Sequence, residues 1–227
     1  MSAPPLLTAR GLTKAYGPTA ALRGAEVTVR AGEVVAVMGP SGSGKSTLLH
    51  CLAGIVRPDS GSVVYDGREL TALSDAERSA LRRGDFGFVF QFGQLVPELS
   101  CLENVALPLR LGGKRKRAAE ARAAEWLERL EAAELARQLP GALSGGQAQR
   151  VAVARALVTG PRIVFADEPT GALDSLGGER VMRLLGEAAR DTGAAVLLVT
   201  HDIRVAAYSD REITVRDGAV HDPAALA

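Results

Sequence analysis

Apolar positions along the chain fall into runs of different period. From Leu6 to Asp66 they alternate with polar ones in short stretches such as AEVTVRAGE and GSVVYDG, the period of half-buried strands. Val34 to Met38 reads VVAVM without interruption, which predicts a strand covered on both faces. Two more such strands follow far along the chain, RIVFAD at Arg162 to Asp167 and AAVLLVT at Ala194 to Thr200, each preceded by a segment of helical period. Strands and helices alternating in this way build parallel sheets, so the predicted class is α/β. From about Phe92 to Leu157 the pattern turns helical. Ala119, Ala123, Trp126, Leu127 and Leu130 recur at steps of three and four, an amphipathic helix with Trp126 as a packing residue on its stripe. Glu125 and Arg129 are spaced to pair at i,i+4 on its wet side. Near the end, Asp217-Gly218 stands between two short alternating runs, the signal of a two-residue hairpin.

Composition narrows this picture. Of the 227 residues 47% are hydrophobic and 23% charged, enough apolar surface to offset the ordering entropy, which excludes disorder over most of the chain. Twenty-seven basic against 26 acidic residues leave a net charge of +1, and so no general attraction for nucleic acid. No apolar run is long enough to cross a bilayer, and the opening MSAPPLLTAR has neither a basic nor an apolar signal region; the expectation is a cytoplasmic chain. Cys51 and Cys101 are too few for a disulfide framework and fit no zinc spacing, so both are read as buried thiols. Lys114 to Arg117 form a basic cluster, read as a solvated helix start.

Directly after VVAVM, and directly before the helical TLLHCLAGI, stands GPSGSGKST: Gly39, Pro40, Ser41, Gly42, Ser43, Gly44, Lys45, Ser46 and Thr47. This is the G-x-x-x-x-G-K-[ST] pattern in the strand, loop and helix setting that its mechanism requires. Glycines at 39, 42 and 44 let successive backbone N–H groups converge on an anion without Cβ clashes, and the following helix turns its positive end toward the same anion. The predicted ligand is a nucleotide polyphosphate, with Lys45 on its β- and γ-phosphates and the Ser46 hydroxyl on Mg²⁺. RIVFADEPT then ends a buried strand with two adjacent carboxylates. Asp167 is assigned to Mg²⁺ through water and Glu168 to the attacking water; standing alone, the pair would also suit an acidic start to the next helix.

Leu143, Ser144, Gly145, Gly146 and Gln147 read LSGGQ and open the helical QRVAVARALV, which makes a second helix N-terminus fit for an anion. One nucleotide needs only one such site, unless the second reaches a nucleotide held by another molecule. With the phosphate loop, LSGGQ and DEPT together, the chain resembles the ATP-binding subunit of an ABC transporter from Tyr16 through Gly218. The resemblance implies a P-loop NTPase core with a mixed, mostly parallel sheet, an N-terminal antiparallel β region and an inserted helical subdomain. It implies one ABC ATPase domain over 1–227, with the core at about 1–91 and 158–227 and the helical subdomain at about 92–157.

It also implies roles. Tyr16 takes the place of the aromatic that stacks on adenine, although an aromatic in an edge strand also suits packing. Gln91, closing FGFVFQ, takes that of the glutamine that contacts Mg²⁺ and water and senses the membrane partner. Ala172, Leu173 and Asp174 resemble the segment that communicates with the opposite subunit, and His201 the histidine at the γ-phosphate, where a lone histidine would otherwise read as structural. The family's unit is a head-to-tail homodimer in which LSGGQ acts in trans on ATP held by the other copy.

Among relatives, FVFQFGQLVPELSCLENVALPL, LSGGQAQRVAVARAL and ADEPTGALDS most resemble the macrolide-exporter and lipoprotein-releasing subfamily. That implies an ATPase powering a separate permease with few spans and a large extracytoplasmic domain, seated at the inner face of the membrane. The rival reading is the ATPase of a non-transporting signalling complex. Gly93 departs from that group, which often carries an aromatic there. Phe92, Leu95, Val96 and Leu99 are too broken by Gly93 and Pro97 for one helical face; they either pack in the core, or Phe92 and Leu95 line a groove for a permease helix.

Overall fold

A computed structural model describes residues 4–222, so the ends of the expected domain, 1–3 and 223–227, lie outside the described residues. In chain order the elements begin with strands β1 (Leu7–Tyr16), β2 (Thr19–Val29) and β3 (Val34–Met38), helix α1 (Lys45–Leu52), and strands β4 (Ser60–Tyr65) and β5 (Arg68–Glu69). Helix α2 (Asp75–Gly84), strand β6 (Phe86–Phe90), and helices α3 (Cys101–Leu111), α4 (Lys116–Arg129) and α5 (Gly145–Leu157) follow. The chain closes with β7 (Ile163–Asp167), α6 (Ser175–Thr192), β8 (Ala195–Val199), α7 (Ile203–Ala206), β9 (Arg211–Arg216) and β10 (Ala219–His221). Contacts group these into two compact units, one of residues up to Ala80 with those from Ala195 onward, the other Leu81–Ala194.

In the first unit β2, β1, β4 and β5 form an antiparallel sheet in that order. β9, β3 and β8 run parallel to one another, with β10 antiparallel to β9, which is the mixed, mostly parallel sheet of the α/β class. VVAVM is strand β3, and Val34 to Val37 are buried, as its unbroken apolar run requires. The Asp217-Gly218 hairpin forms, with both residues at positive φ, the geometry of a type I′ turn. Asp66-Gly67 makes a second such turn between β4 and β5, from the same residue pair. Tyr16 is not in an edge strand: β1 lies between β2 and β4, and Tyr16 ends it at the hairpin tip opposite Thr19.

In the second unit β6 and β7 pair in parallel, their Phe88 and Phe165 rings stacked 5.7 Å apart. α4 forms where the apolar stripe predicted, and Ala119, Ala123, Trp126, Leu127 and Leu130 are all buried. Arg129 places its guanidinium 4.3 Å from the centre of the Trp126 ring. The expected Glu125–Arg129 pair does not form: Glu125 takes Arg122, at 2.7 Å, and Arg129 reaches Asp191 of α6, at 2.8 Å. A tertiary partner outcompetes a helical neighbour here because exposed i,i+4 pairs are worth only a few tenths of a kcal/mol. Cys51 and Cys101 are buried thiols as read, and burial pushes Cys51 up to about 11. Lys114 to Arg117 are exposed around the start of α4.

Candidate functional site

The phosphate loop bridges β3 and α1 and is held by its own unit's backbone. Gly39 (φ 141), Gly42 (φ 76) and Gly44 (φ 106) occupy conformations that side chains rarely adopt. A Cβ at Gly39 would fall 2.1 Å from the Val215 carbonyl oxygen of β9, and one at Gly44 2.2 Å from that of Ala21 in β2. The turn of the β9–β10 hairpin braces the loop as well, since the Gly218 N–H donates to the Ser43 carbonyl at 3.0 Å. The Lys45 ammonium is buried and donates to the Gly39 and Pro40 carbonyls, both at 2.8 Å. Ser43 Oγ is buried with no hydrogen-bond partner among the described residues, a cost that a phosphate oxygen arriving in the loop would remove. Glycine cradle, buried ammonium and orphan hydroxyl are what a nucleotide polyphosphate needs. Ser46, the assigned Mg²⁺ ligand, sits exposed at the start of α1.

The predicted second anion site lies at the start of α5. Ser144 caps α5 in a capping box: its Oγ accepts from the Gln147 N–H at 3.3 Å, and Gln147 Oε1 accepts from the Ser144 N–H at 2.8 Å. The Ser144 O–H is thereby left as a donor toward a ligand. A cleft of about 420 Å³ opens here, lined by residues 144–147, Ala172, Leu173, Asp174, Arg150 and Arg180. A Cβ at Gly145 would sit 3.2 Å from Leu173, so the two predicted segments pack against each other. A Cβ at Gly146 would meet nothing within 4 Å, and its φ is ordinary. Nothing among the described residues demands glycine at that position.

Asp174 has a local duty too, accepting from the Gly177 N–H at 2.7 Å as the N-cap of α6. Glu131 holds the arginines beside the cleft. Its carboxylate accepts from Arg180 Nε at 2.6 Å and Arg183 Nη2 at 3.1 Å, and its carbonyl accepts from Arg150. Those hydrogen bonds hold the Glu131 carboxyl below its ordinary value, while burial, then the charge of Arg180, lowers Arg150.

Asp167 ends β7, half-buried, and Glu168 follows it with φ 46, left-handed backbone that a non-glycine residue rarely takes. A Cβ at Gly171 would lie 2.7 Å from Gln91 Nε2 and 3.2 Å from Glu168 Oε2, so these two predicted residues converge over Gly171. In the first unit Tyr16 is half-exposed, with Lys14 Nζ 5.6 Å from its ring centre, and His201 is exposed two residues past β8. Among the described residues there is no group of three or more His, Cys, Asp and Glu that could hold a metal ion.

Sequence reasoning missed the supports: Ala21, Val215 and Gly218 under the phosphate loop, and Gly171 between Gln91 and Glu168. Only the glycines carried a local signal, and it does not say which neighbour comes close. Phe92 stands 73% exposed while Leu95 is half-buried. A separate groove of about 240 Å³ in the same unit is lined by Leu99, Glu103, Ala106, Leu107, Arg110, Lys116 and Glu120 and does not include Phe92 or Leu95. The chain turns sharply after Gln91 and sends Phe92 outward instead.

A cradle for a polyphosphate, a second capped helix start and a carboxylate pair at a strand end define an ATP-hydrolysing cassette, and the family model described as ABC transporter matches residues 22–171. The chain belongs to that family. It is similar to the lipoprotein-releasing system ATP-binding protein LolD 2 of Caulobacter vibrioides, with 46% identity over 94% of this chain and 96% of that protein. The LolD protein of Roseobacter denitrificans is 45% identical, over 96% and 98% of the two chains. Among solved structures, the dimeric bacterial ABC transporter cassette MJ0796 aligns with a TM-score of 0.88 and 42% identity, covering 95% of this chain and 96% of that one. A post-hydrolysis dimer of the same cassette, bound to ADP and Pi, aligns at 0.87 and 41%, covering 95% and 98%.

Proposed function

We propose that the chain is the ATPase of a lipoprotein-releasing ABC system, works as a homodimer, and drives a membrane permease of few spans with a large extracytoplasmic domain. The observation that carries the homodimer is Gly146, a glycine with no reason inside the chain, at a capped helix start that faces an open cleft. Close approach by a phosphate from a second copy supplies that reason. Likeness over nearly the full length to the LolD proteins supports the choice of system.

In this reading Lys45 and the loop amides bind the β- and γ-phosphates, and the partner copy's Ser144 and its helix start add donors to the γ-phosphate. Glu168 and His201 orient a water in line with the γ-phosphate, and Tyr16 stacks on adenine. Bound Mg²⁺, held by Ser46, Gln91 and, through water, Asp167, supplies charge neutralisation of the transferring phosphoryl group. Residues 92–157 act as the helical subdomain that meets the permease, which seats the chain at the inner membrane face.

Phe92 is the contact to test. Phe92→Ser should leave ATP binding and the melting temperature unchanged, because the ring covers no core, and should abolish co-purification with the permease. ATP-dependent release of a lipoprotein from vesicles holding the complex should be lost with it. Wild-type co-purification of the variant would move the contact elsewhere.

A further inference from the structure

Gln91 is held in a way that its own element does not explain. It occupies the second position of a turn closed by the Gly93 N–H on the Phe90 carbonyl at 3.0 Å; the turn's last residue, Gly93 (φ 67), and Gln94 (φ 47) after it are both left-handed. Two side chains of α5, the helix that LSGGQ opens, hold this turn. Gln149, buried, donates from Nε2 to the same Phe90 carbonyl at 2.9 Å. Arg155 spans two successive carbonyls, Nη2 to Gly93 at 2.6 Å and Nη1 to Gln94 at 2.7 Å. The backbone of the turn lies on α5 itself, where a Cβ on Gly93 would fall 3.4 Å from the Ala148 carbonyl and 3.5 Å from Ala152 Cβ. Beyond it, the fully buried Asn104 accepts from the Val96 N–H at 2.7 Å and donates to the Val96, Leu99 and Ser100 carbonyls at 3.0, 2.9 and 3.1 Å.

We propose that Gln149 and Arg155 are positioning residues that hold the Gln91 turn on the LSGGQ helix, and so keep the Gln91 side chain where its contact to Mg²⁺ and water requires it. The fork of a guanidinium suits this role, because it binds two carbonyls in fixed relation where an ammonium would bind one. Among the described residues Arg155 forms no ion pair, so its charge is spent on the backbone of this turn, and its burial lowers its pKa. The two anchors stand six residues apart, about 9 Å along the helix axis, which fixes the orientation of the turn as well as its place. Neither side chain touches a reacting group.

The proposal rests on the reading of Gln91 as a contact to Mg²⁺ and water, and the test separates the two. ATPase rates of the purified chain are measured against Mg²⁺ at fixed ATP, with melting temperatures, for wild type, Gln91→Ala, Arg155→Met, Arg155→Lys and Gln149→Leu. Removing the positioning bonds should cost kcat about ten-fold and raise the Mg²⁺ needed for half the maximal rate several-fold, as Gln91→Ala should, with KM for ATP kept within about two-fold. Arg155→Lys should recover part of the loss. If Arg155→Met does not fold, Gln149→Leu, nearly isosteric, carries the test alone. A fall in melting temperature with the Mg²⁺ dependence unmoved, while Gln91→Ala shifts it, overturns the positioning role and leaves the reading of Gln91 standing. A Gln91→Ala variant with unshifted Mg²⁺ dependence overturns both.

Discussion

Single residues carry the sharpest information about what approaches this protein from outside. Gly146 has no neighbour that a methyl group would strike and no unusual backbone, so the fold is indifferent to it. Gly146→Ala should leave the melting temperature unchanged or raise the stability by up to about 1 kcal/mol, because alanine reduces the entropy of the unfolded chain. The same substitution should lower ATPase activity about a hundred-fold, since a methyl group there displaces the phosphate that the partner copy presents. Calorimetry and a phosphate-release assay on one preparation read both. Full activity would mean that no phosphate comes close to that helix start. Glu168 makes the complementary point: its left-handed backbone costs on the order of 1–3 kcal/mol and is retained at a carboxylate that converges with Gln91 over Gly171.

At the scale of elements, α5 and α6 are held by polar contacts that reach across the chain. Glu131 follows the end of α4 and binds Arg180 and Arg183 of α6 through its carboxylate. Its carboxyl is lowered first by the hydrogen bond to Arg180, then by that to Arg183. A depressed folded value means a contribution present above the ordinary carboxylate pKa of about 4.3 and lost as pH falls through the folded value below it. At 38% exposure, solvent screening limits that contribution to about 1 kcal/mol or less. Wild type should therefore melt above Glu131→Gln at pH 7, and the gap should close on acidification below about pH 4; a gap independent of pH would show that the ion pairs contribute nothing. The same scale separates what the sequence made legible from what it did not. β3, α4, the Asp217-Gly218 turn and both glycine-bearing helix starts follow from patterns within a dozen residues, where period and turn chemistry act. Arg129 choosing Asp191, Arg155 reaching carbonyls 61 and 62 positions away, and Val215 closing on Gly39 depend on which surfaces the fold brings together, and no local pattern encodes them. The outward turn at Phe92 belongs with these in part, because α5 side chains hold it in addition to its own local hydrogen bonds.

For the whole molecule, the claim that organises every role assigned here is that hydrolysis takes place between two copies, the phosphate loop of one facing Ser144 to Gln147 of the other. A single chain then binds ATP but assembles its catalytic donors only on pairing, and loss of the γ-phosphate lets the pair part. Substituting the carboxylate that orients water should trap the paired state, since an amide keeps the shape of Glu168 while orienting water poorly. The most direct test is light scattering of Glu168→Gln during size-exclusion chromatography, with and without ATP and Mg²⁺. The account predicts a monomer without nucleotide that doubles in mass with ATP, and that stays monomeric when Ser144→Arg is added to the same chain. A variant that binds ATP stoichiometrically yet remains a monomer would contradict it.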